Sequence, residues 1–229
     1  IYPDFPYSHV YAIKEVVEKI PADSVLHLSI NDSIRITNFF KLNPRIKTYA
    51  NIGTHGIDGC LSSFLGQAVA GNKQSYLVIG DLAFFYDMNA MRLRHIKNNV
   101  HILLINNEGG SEFYFNHMWK DKASDLHTTA RHHTKAEGWV KSNNFIYLSA
   151  HDKESMQEAL KEFMRSDLEK PVFLEVFTEM KTDSDVIYDF FDLSRPKYVQ
   201  SETIRRSKEF IKATIGQEKA QKIAGLFKK

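Results

Sequence analysis

The chain has 229 residues, a net charge of +2 and 43% hydrophobic residues. This composition is typical of a folded globular protein and excludes a disordered chain. No apolar run approaches the roughly 18 residues of a membrane span, so we expect no membrane partner. The single cysteine, Cys60, excludes an internal disulfide. With no secretory signal at the N-terminus, it predicts a cytoplasmic protein.

In chain order, the sequence predicts helices that alternate with short apolar strands. We predict helices over 11–20, 32–41, 59–70, 87–97, 130–141 and 153–165, and strands over 24–30, 75–79, 100–105, 145–148 and 172–177. Ser8 and Asp32 are the candidate caps of the first two helices. Continuous apolar strands separated by helices indicate an α/β fold, with a doubly wound, mainly parallel sheet and helices on both faces.

The last part of the chain differs from the rest in charge and pattern. We therefore predict one domain over residues 1–185 and a basic, helical C-terminal extension over 186–229. Residues 195–229 hold ten Lys or Arg and three Asp or Glu. A basic tail can bind nucleic acid or an acidic partner. We favour a solvated amphipathic helix pair, and do not expect a nucleic-acid partner.

Two neighbouring strand ends carry polar residues that suit a metal. Asp81 follows the strand 75–79 after Gly80, and Asn107 ends the next strand, 26 residues later. A right-handed crossover would bring the two strand ends side by side, where sheets of this class bind ligands. Taken singly, Asp81 is more typical of a helix cap and Asn-Asn-Glu-Gly-Gly of a turn. Together, the oxygen atoms of Asp81, Asn107 and the Gly109 carbonyl predict a Mg²⁺ site.

These residues resemble the Gly-Asp-Gly…Asn-Asn signature of thiamine-diphosphate-dependent enzymes. The stretches that begin at Gly80, at Tyr49 and at Ile105 are most similar to the menaquinone-pathway 2-succinyl-5-enolpyruvyl-6-hydroxy-3-cyclohexene-1-carboxylate synthases. The resemblance covers roughly residues 8 to 180. It implies the C-terminal, diphosphate-binding domain of an enzyme with thiamine diphosphate and Mg²⁺ as cofactors. Such an enzyme decarboxylates a 2-oxo acid with or without carboligation, as acetolactate synthase also does.

The resemblance also assigns roles to individual residues. The cofactor-binding positions that it implies are Gly53, Thr54, His55, Gly56, Gly80, Leu82, Ala83 and Phe113. Arg35, with Asn31 near it, falls where the menaquinone-pathway synthases bind the carboxylate of the 2-oxo acid. A planar guanidinium suits a carboxylate because it can donate two parallel hydrogen bonds. A solvated arginine on a helix face is the alternative for Arg35.

Four positions depart from the family pattern. Leu82 replaces the third glycine of the signature, and Ala83 replaces a hydroxyl residue beside the diphosphate. Ile52 stands where the menaquinone-pathway synthases carry an arginine for their substrate, and Glu112 stands where they carry an apolar residue. The last two departures leave the substrate of this chain open.

The resemblance implies that part of the enzyme lies elsewhere. In the family, a glutamate on a separate pyrimidine-binding domain activates the cofactor, and no residue of this chain takes that role. We therefore expect a fragment or one subunit of a split enzyme, with catalytic residues unassigned. Because the cofactor lies between two domains, usually from different subunits, we also expect a homo-oligomer. Its partners would be a 2-oxo acid and a pyrimidine-binding domain or subunit.

Other functions remain as alternatives. The chain could be a non-catalytic domain that keeps the fold and binds a protein partner, although such a domain needs no metal donors. His127, His132 and His133 could bind zinc, but adjacent helical residues do not face one way. No G-x-G-x-x-G string is present, which argues against a nicotinamide cofactor.

Overall fold

The structure is a computed structural model and describes residues 2–53, 55–114 and 122–194. The chain divides into two compact units, Ile1–Val186 and Ile187–Lys229. Most of the second unit, from residue 195 onward, lies outside the described residues. The predicted basic extension therefore stays a prediction. Among the described helices, none is both long and apolar enough to cross a bilayer.

Strands and helices alternate along the described chain. The strands are β1 (Val25–Leu28), β2 (Lys47–Ala50), β3 (Ser75–Gly80), β4 (Val100–Asn106), β5 (Ile146–Ala150) and β6 (Val172–Phe177). The helices are α1 (His9–Val17), α2 (Asp32–Thr37), α3 (Cys60–Ala70), α4 (Asp81–Asp87), α5 (Lys122–His127), α6 (Glu137–Ser142), α7 (Lys153–Phe163) and α8 (Met180–Ser194). A 3-10 helix, Met88–Arg92, follows α4 directly.

The six strands form one sheet in the order β2-β1-β3-β4-β6-β5, and every pair is parallel. This arrangement confirms the predicted α/β class with a parallel sheet. β3 and β4 are direct neighbours, as the predicted crossover requires. From β1 the chain passes to β2 on one side and then to β3 on the other, which opens a crevice at the carboxyl ends of β1 and β3.

Helices cover both faces of the sheet. Side chains of a strand alternate between the two faces, so each face presents apolar side chains for helices to pack against. On β4, Ile102 and Leu104 belong to a buried cluster with residues of α3, α4 and α6. The intervening His101 turns the other way, where its ring contacts the Phe163 ring and carbonyl oxygen of α7. Both faces are therefore packed, which leaves the ends of the strands as the place where a ligand could bind.

One strand, two helices and one helix cap differ from the prediction. β2 was not predicted, because all four of its residues are exposed and it has no apolar run. The helix expected over 87–97 is instead α4, which begins at Asp81 and includes aromatic residues with low helix propensity. The helix expected over 130–141 begins only at Glu137. At α2 the cap position is Asn31, and Asp32 is the first helical residue.

Candidate functional site

A cleft opens at the carboxyl ends of β1, β3 and β4, where ligands of parallel sheets bind. Most of its wall comes from the loops that follow these strands and from α1. The residues that border the cleft include Asn31, Asp32, Gly80, Asp81, Leu82, Ala83, Asn107, Gly109, Gly110, Ser111, Glu112, Phe113 and His9. The three predicted metal ligands and four of the predicted cofactor contacts thus share one cleft.

Asp81 is the first residue of α4 and is almost completely buried. Its Oδ2 accepts hydrogen bonds from the backbone N–H of Asn107 at 3.1 Å and of Gly109 at 3.0 Å. Its Oδ1 accepts from the N–H of Leu82 at 2.6 Å. Both oxygens of this carboxylate therefore accept hydrogen bonds from the backbone. The loop after β4 is thereby held against the start of α4.

The two asparagines at the end of β4 have different surroundings. Asn106 Nδ2 donates to Glu175 Oε1 at 2.7 Å and to the Thr134 carbonyl at 2.9 Å, while its Oδ1 accepts from the Glu108 N–H. All polar atoms of this side chain are therefore occupied, and it shapes the loop. Asn107 donates through Nδ2 to Asp183 Oδ2 at 2.9 Å. That bond leaves the amide oxygen as the atom of Asn107 that can meet a ligand.

Gly109 lies in a conformation that favours glycine, with φ 152. A Cβ atom added there would approach the Thr129 carbonyl oxygen to 2.6 Å and Met180 Cε to 2.9 Å. The carbonyl oxygen of Gly109 accepts from the Ser111 N–H at 3.1 Å and has a second lone pair for a further partner. The bend of the loop and its close packing both require glycine at this position.

The donor set therefore fits a hard cation. Carboxylate, amide and carbonyl oxygens of Asp81, Asn107 and Gly109 are brought to one loop by the hydrogen bonds on Asp81. The His132 ring lies beside this carboxylate, with its Nε2 3.3 Å from Asp81 Oδ2. The Asp81 carboxylate raises the pKa of His132 above its ordinary value. A divalent ion with water and phosphate oxygens would complete this oxygen set.

A second buried carboxylate, Asp183, lies behind Asn107. Besides Asn107 Nδ2, it accepts hydrogen bonds from the His9 backbone N–H at 2.8 Å and from Thr178 Oγ1 at 2.6 Å. The buried His9 ring lies between Asp183 and Asp32, at 3.3 Å and 3.8 Å. Burial alone would lower the pKa of His9, but these two carboxylates outweigh it and raise the pKa.

The predicted substrate residue Arg35 lies on α2 and is already ion-paired. Its NH2 group lies 2.6 Å from Glu112 Oε1, and its NH1 group lies 3.6 Å from Asp32 Oδ1. Burial raises the pKa of Glu112, while Arg35 opposes that change. A substrate carboxylate would have to compete with Glu112 for the guanidinium. Glu112 is also one of the four positions that depart from the family pattern.

Of the other predicted positions, Asn31 borders the cleft and the described residues of the loop 53–56 do not. Asn31 has φ 58, a strained backbone region that asparagine tolerates better than most residues. Gly53 and His55 are exposed and Gly56 is half-buried, outside the residues that border the cleft, although the next residue, Ile57, reaches it. Thr54 lies outside the described residues.

The three histidines considered for zinc do not converge on one ion. His132 contacts Asp81, whereas the exposed His133 pairs with Glu108 at 3.0 Å, and His127 ends α5. In the described part of the chain, no three His, Cys, Asp or Glu side chains group as a metal site. An oxygen set of one carboxylate, one amide and one carbonyl does not depend on such a group.

Comparison with known proteins gives related sequences. Several relatives are 2-succinyl-5-enolpyruvyl-6-hydroxy-3-cyclohexene-1-carboxylate synthases. The protein from Bacteroides fragilis is 37% identical over 191 residues, which is 82% of this chain and 34% of the relative. The protein from Bacteroides thetaiotaomicron is 35% identical over 197 residues, 85% of this chain and 36% of the relative. The chain belongs to the same family as these synthases.

The synthase family is the one predicted from the strand-end motifs, and that prediction is confirmed. A shorter alignment, with the synthase of Staphylococcus haemolyticus, is 38% identical over 104 residues, or 45% of this chain and 18% of the relative. No family model matches the chain. The chain spans about a third of the length of the synthases from the two Bacteroides species.

Proposed function

We propose that this chain provides the diphosphate- and Mg²⁺-binding part of a thiamine-diphosphate-dependent enzyme that acts on a 2-oxo acid. The observation that carries the proposal is the buried Asp81 carboxylate, which binds the N–H groups of Asn107 and Gly109. Asp81 Oδ1, Asn107 Oδ1 and the Gly109 carbonyl would hold the metal. The relatives named as synthases support the choice of enzyme class.

The loops around the cleft would each bind a different part of the cofactor. The metal would link the loop after β4 to the diphosphate, and Gly80, Leu82, Ala83 and Phe113 would line the diphosphate side of the cleft. The loop 53–56 would face the thiamine. Bound thiamine diphosphate supplies an electron sink for decarboxylation. The described residues would bind and orient it, while the activating glutamate would come from a pyrimidine-binding domain.

The substrate and assembly belong to the same proposal. Asn31 and Arg35 would meet the 2-oxo acid at the β1 side of the cleft, with Glu112 as the competitor for Arg35. The reaction would be decarboxylation, with or without formation of a new carbon–carbon bond. We also propose a cytoplasmic homo-oligomer in which the cofactor lies between this domain and a pyrimidine-binding one.

Metal-dependent cofactor binding tests the proposal directly. Titration calorimetry should show that thiamine diphosphate binds in the presence of Mg²⁺ and not in the presence of a chelator. Asp81→Asn should abolish this binding, because it removes the ligating charge. Since both Asp81 oxygens accept backbone hydrogen bonds, the new amide nitrogen would face a backbone N–H and the melting temperature should fall. A far-UV circular dichroism spectrum like that of the wild type would show that the fold is retained.

The matched control is Asp87→Asn at the other end of α4. Asp87 accepts two hydrogen bonds from Ser62, at 2.7 Å and 2.8 Å, and does not border the cleft. The Asp87→Asn variant should bind the cofactor with the affinity of the wild type. Equal affinity with and without chelator would reject the metal site and would favour the alternative of a non-catalytic domain with this fold.

A further inference from the structure

Each asparagine at the end of β4 rests on a completely buried carboxylate from another element. Glu175 of β6 accepts from Asn106 and from the Ala136 N–H, which begins the α6 turn, and from the Tyr147 hydroxyl. Asp183 of α8 accepts from Asn107. The two contacts have different consequences, because only Asn107 keeps an amide oxygen for a ligand.

The bond between Asp183 and Asn107 determines which way the amide faces. A side-chain amide has donors on nitrogen and lone pairs on oxygen. With a carboxylate 2.9 Å from Nδ2, rotation by 180° would place Oδ1 against that carboxylate and leave two acceptors facing each other. In a buried site such an unpaired contact is costly. Asn107 Oδ1 is therefore kept pointing away from Asp183.

Asp183 is itself fixed by groups that do not belong to the metal loop. The His9 N–H at the start of α1 and the Thr178 hydroxyl after β6 bind its two oxygens at 2.8 Å and 2.6 Å. Among the ion pairs described for this carboxylate there is no Lys or Arg, only the His9 ring. A buried carboxylate is an expensive way to accept hydrogen bonds. A structural role alone would be met by a neutral acceptor.

We propose that Asp183 is a positioning residue for the metal ligand Asn107, and that it acts by holding the amide in the ligating orientation. The inference rests on the proposed function, because it takes Asn107 as a ligand. Residues that accept hydrogen bonds from metal ligands fix the ligands in this way, and their loss typically weakens metal affinity roughly 10–100-fold. We expect this range for Asp183.

Mn²⁺ binding, followed by electron paramagnetic resonance with thiamine diphosphate present, measures the effect without turnover. Asp183→Asn should bind Mn²⁺ roughly 10–100-fold more weakly than the wild type. Asp185→Asn is the control on the same helix, since Asp185 is exposed and pairs only with Lys181 at 2.5 Å in the described structure. Its Mn²⁺ affinity should equal that of the wild type. Equal affinity for Asp183→Asn and wild type would overturn the inference.

A double-mutant cycle separates orientation of Asn107 from a general effect of charge. If Asp183 acts through the amide, Asp183→Asn should cause no further loss of Mn²⁺ affinity in an Asn107→Ala background. An equal loss in both backgrounds would show that the carboxylate acts on the metal by charge alone and would overturn the positioning role. If Asp183→Asn fails to fold, Thr178→Val loosens the same carboxylate and should weaken Mn²⁺ binding roughly threefold. Unchanged affinity for a folded Thr178→Val would count against the inference.

The wild-type measurement distinguishes the two levels of proposal. Mn²⁺ binding by the wild type that Asp81→Asn abolishes supports the metal site, whatever Asp183→Asn then does. Absence of Mn²⁺ binding by the wild type would overturn both the metal site and the role of Asp183. Binding by the wild type that Asp183→Asn leaves unchanged would overturn the role of Asp183 alone.

Discussion

At the scale of single residues, the pair Arg35 and Glu112 bears most directly on the proposed contact with a substrate carboxylate. The Arg35 side chain is 45% exposed, and the Glu112 carboxylate lies 2.6 Å from one nitrogen of its guanidinium. Partly exposed ion pairs contribute little to stability. The pair is therefore weak enough for a substrate carboxylate to replace Glu112, at a cost in affinity.

Substitutions at this pair should change the Michaelis constant in opposite directions. In the proposed enzyme, completed by a pyrimidine-binding domain, Arg35→Ala should raise KM for a 2-oxo acid roughly 10–100-fold. Glu112→Gln should lower KM, because it frees Arg35. Glu137→Gln, which removes an exposed partner of Lys141, serves as the control. Steady-state kinetics measure all three, and an unchanged KM for Arg35→Ala would return Arg35 to the solvated-surface interpretation.

Sequence could predict the residues that follow strands, and could not predict those that support them from elsewhere. Asp81, Asn107 and Gly109 were found because polar residues at parallel strand ends meet at one edge of the sheet. His9, Glu175 and Asp183 were missed, although they bind or face this edge. His9 lies before the first strand and Asp183 within a helix, so neither spacing nor residue type marks them. Glu175 is hidden in an otherwise apolar strand.

At the scale of elements, the loop that follows β4 is built by close backbone packing. The N–H of Gly110 donates to the Thr129 carbonyl at 2.7 Å, and the Glu108 carbonyl accepts from the His132 N–H at 3.0 Å. The loop and the segment before α6 thus lie backbone against backbone. At Gly109 the packing leaves no space for a side chain.

Gly109→Ala should therefore damage the loop and the proposed metal site together. The new Cβ would clash with the Thr129 carbonyl at 2.6 Å, and the φ of 152 is unfavourable for alanine. We expect a loss of roughly 1–3 kcal/mol in the free energy of unfolding and no Mg²⁺-dependent binding of thiamine diphosphate. Gly138→Ala is the control, because nothing lies within 4 Å of its added Cβ in α6. Urea unfolding should show Gly138→Ala as stable as the wild type or more so, and a similarly stable Gly109→Ala would contradict this account.

Elements were predictable where an apolar pattern reflects two-sided burial. β3, β4 and β6 lie in the middle of the sheet and coincide with predicted strands within one residue. β2 has no such pattern because it lies at the sheet edge and is fully exposed. β2 is a strand because it pairs with β1, and no local pattern in the residues of β2 predicts that pairing.

At the scale of the whole molecule, buried histidines make stability depend on pH. His27 in β1 packs between Tyr49 and Phe64, and His101 in β4 stacks on Tyr76. Burial lowers the pKa of both rings from 6.5 to about 4. An unfolded chain therefore binds protons between pH 6.5 and pH 4 that the folded chain does not bind. Their contribution to stability is present above pH 6.5 and is lost as the pH falls toward 4.

His27→Phe isolates this effect. At pH 5 each buried neutral imidazole should cost about 2 kcal/mol of stability relative to pH 7. Phenylalanine keeps the ring packing and does not titrate, so the drop between pH 7 and pH 5 should be smaller in the variant by about that amount. The difference between proteins is needed because the raised pKa values of His9 and His132 act in the opposite direction. Urea unfolding at both pH values measures it, and an identical drop in the two proteins would refute the role of His27.

The hydrogen bond between His9 and Asp183 joins residues 174 positions apart. Contacts of such separation form late in folding, because closing a long loop costs entropy before it brings any gain. On the ribosome, β1, β3 and β4 are synthesised before residue 107, whereas Asp183 follows 76 residues after Asn107. A nascent chain can therefore hold the central strands while the amide of Asn107 is still free to rotate. If Asp183 has the proposed role, the domain would bind the cofactor tightly only after Asp183 has been synthesised and packed against Asn107. An incomplete nascent chain would then bind thiamine diphosphate weakly.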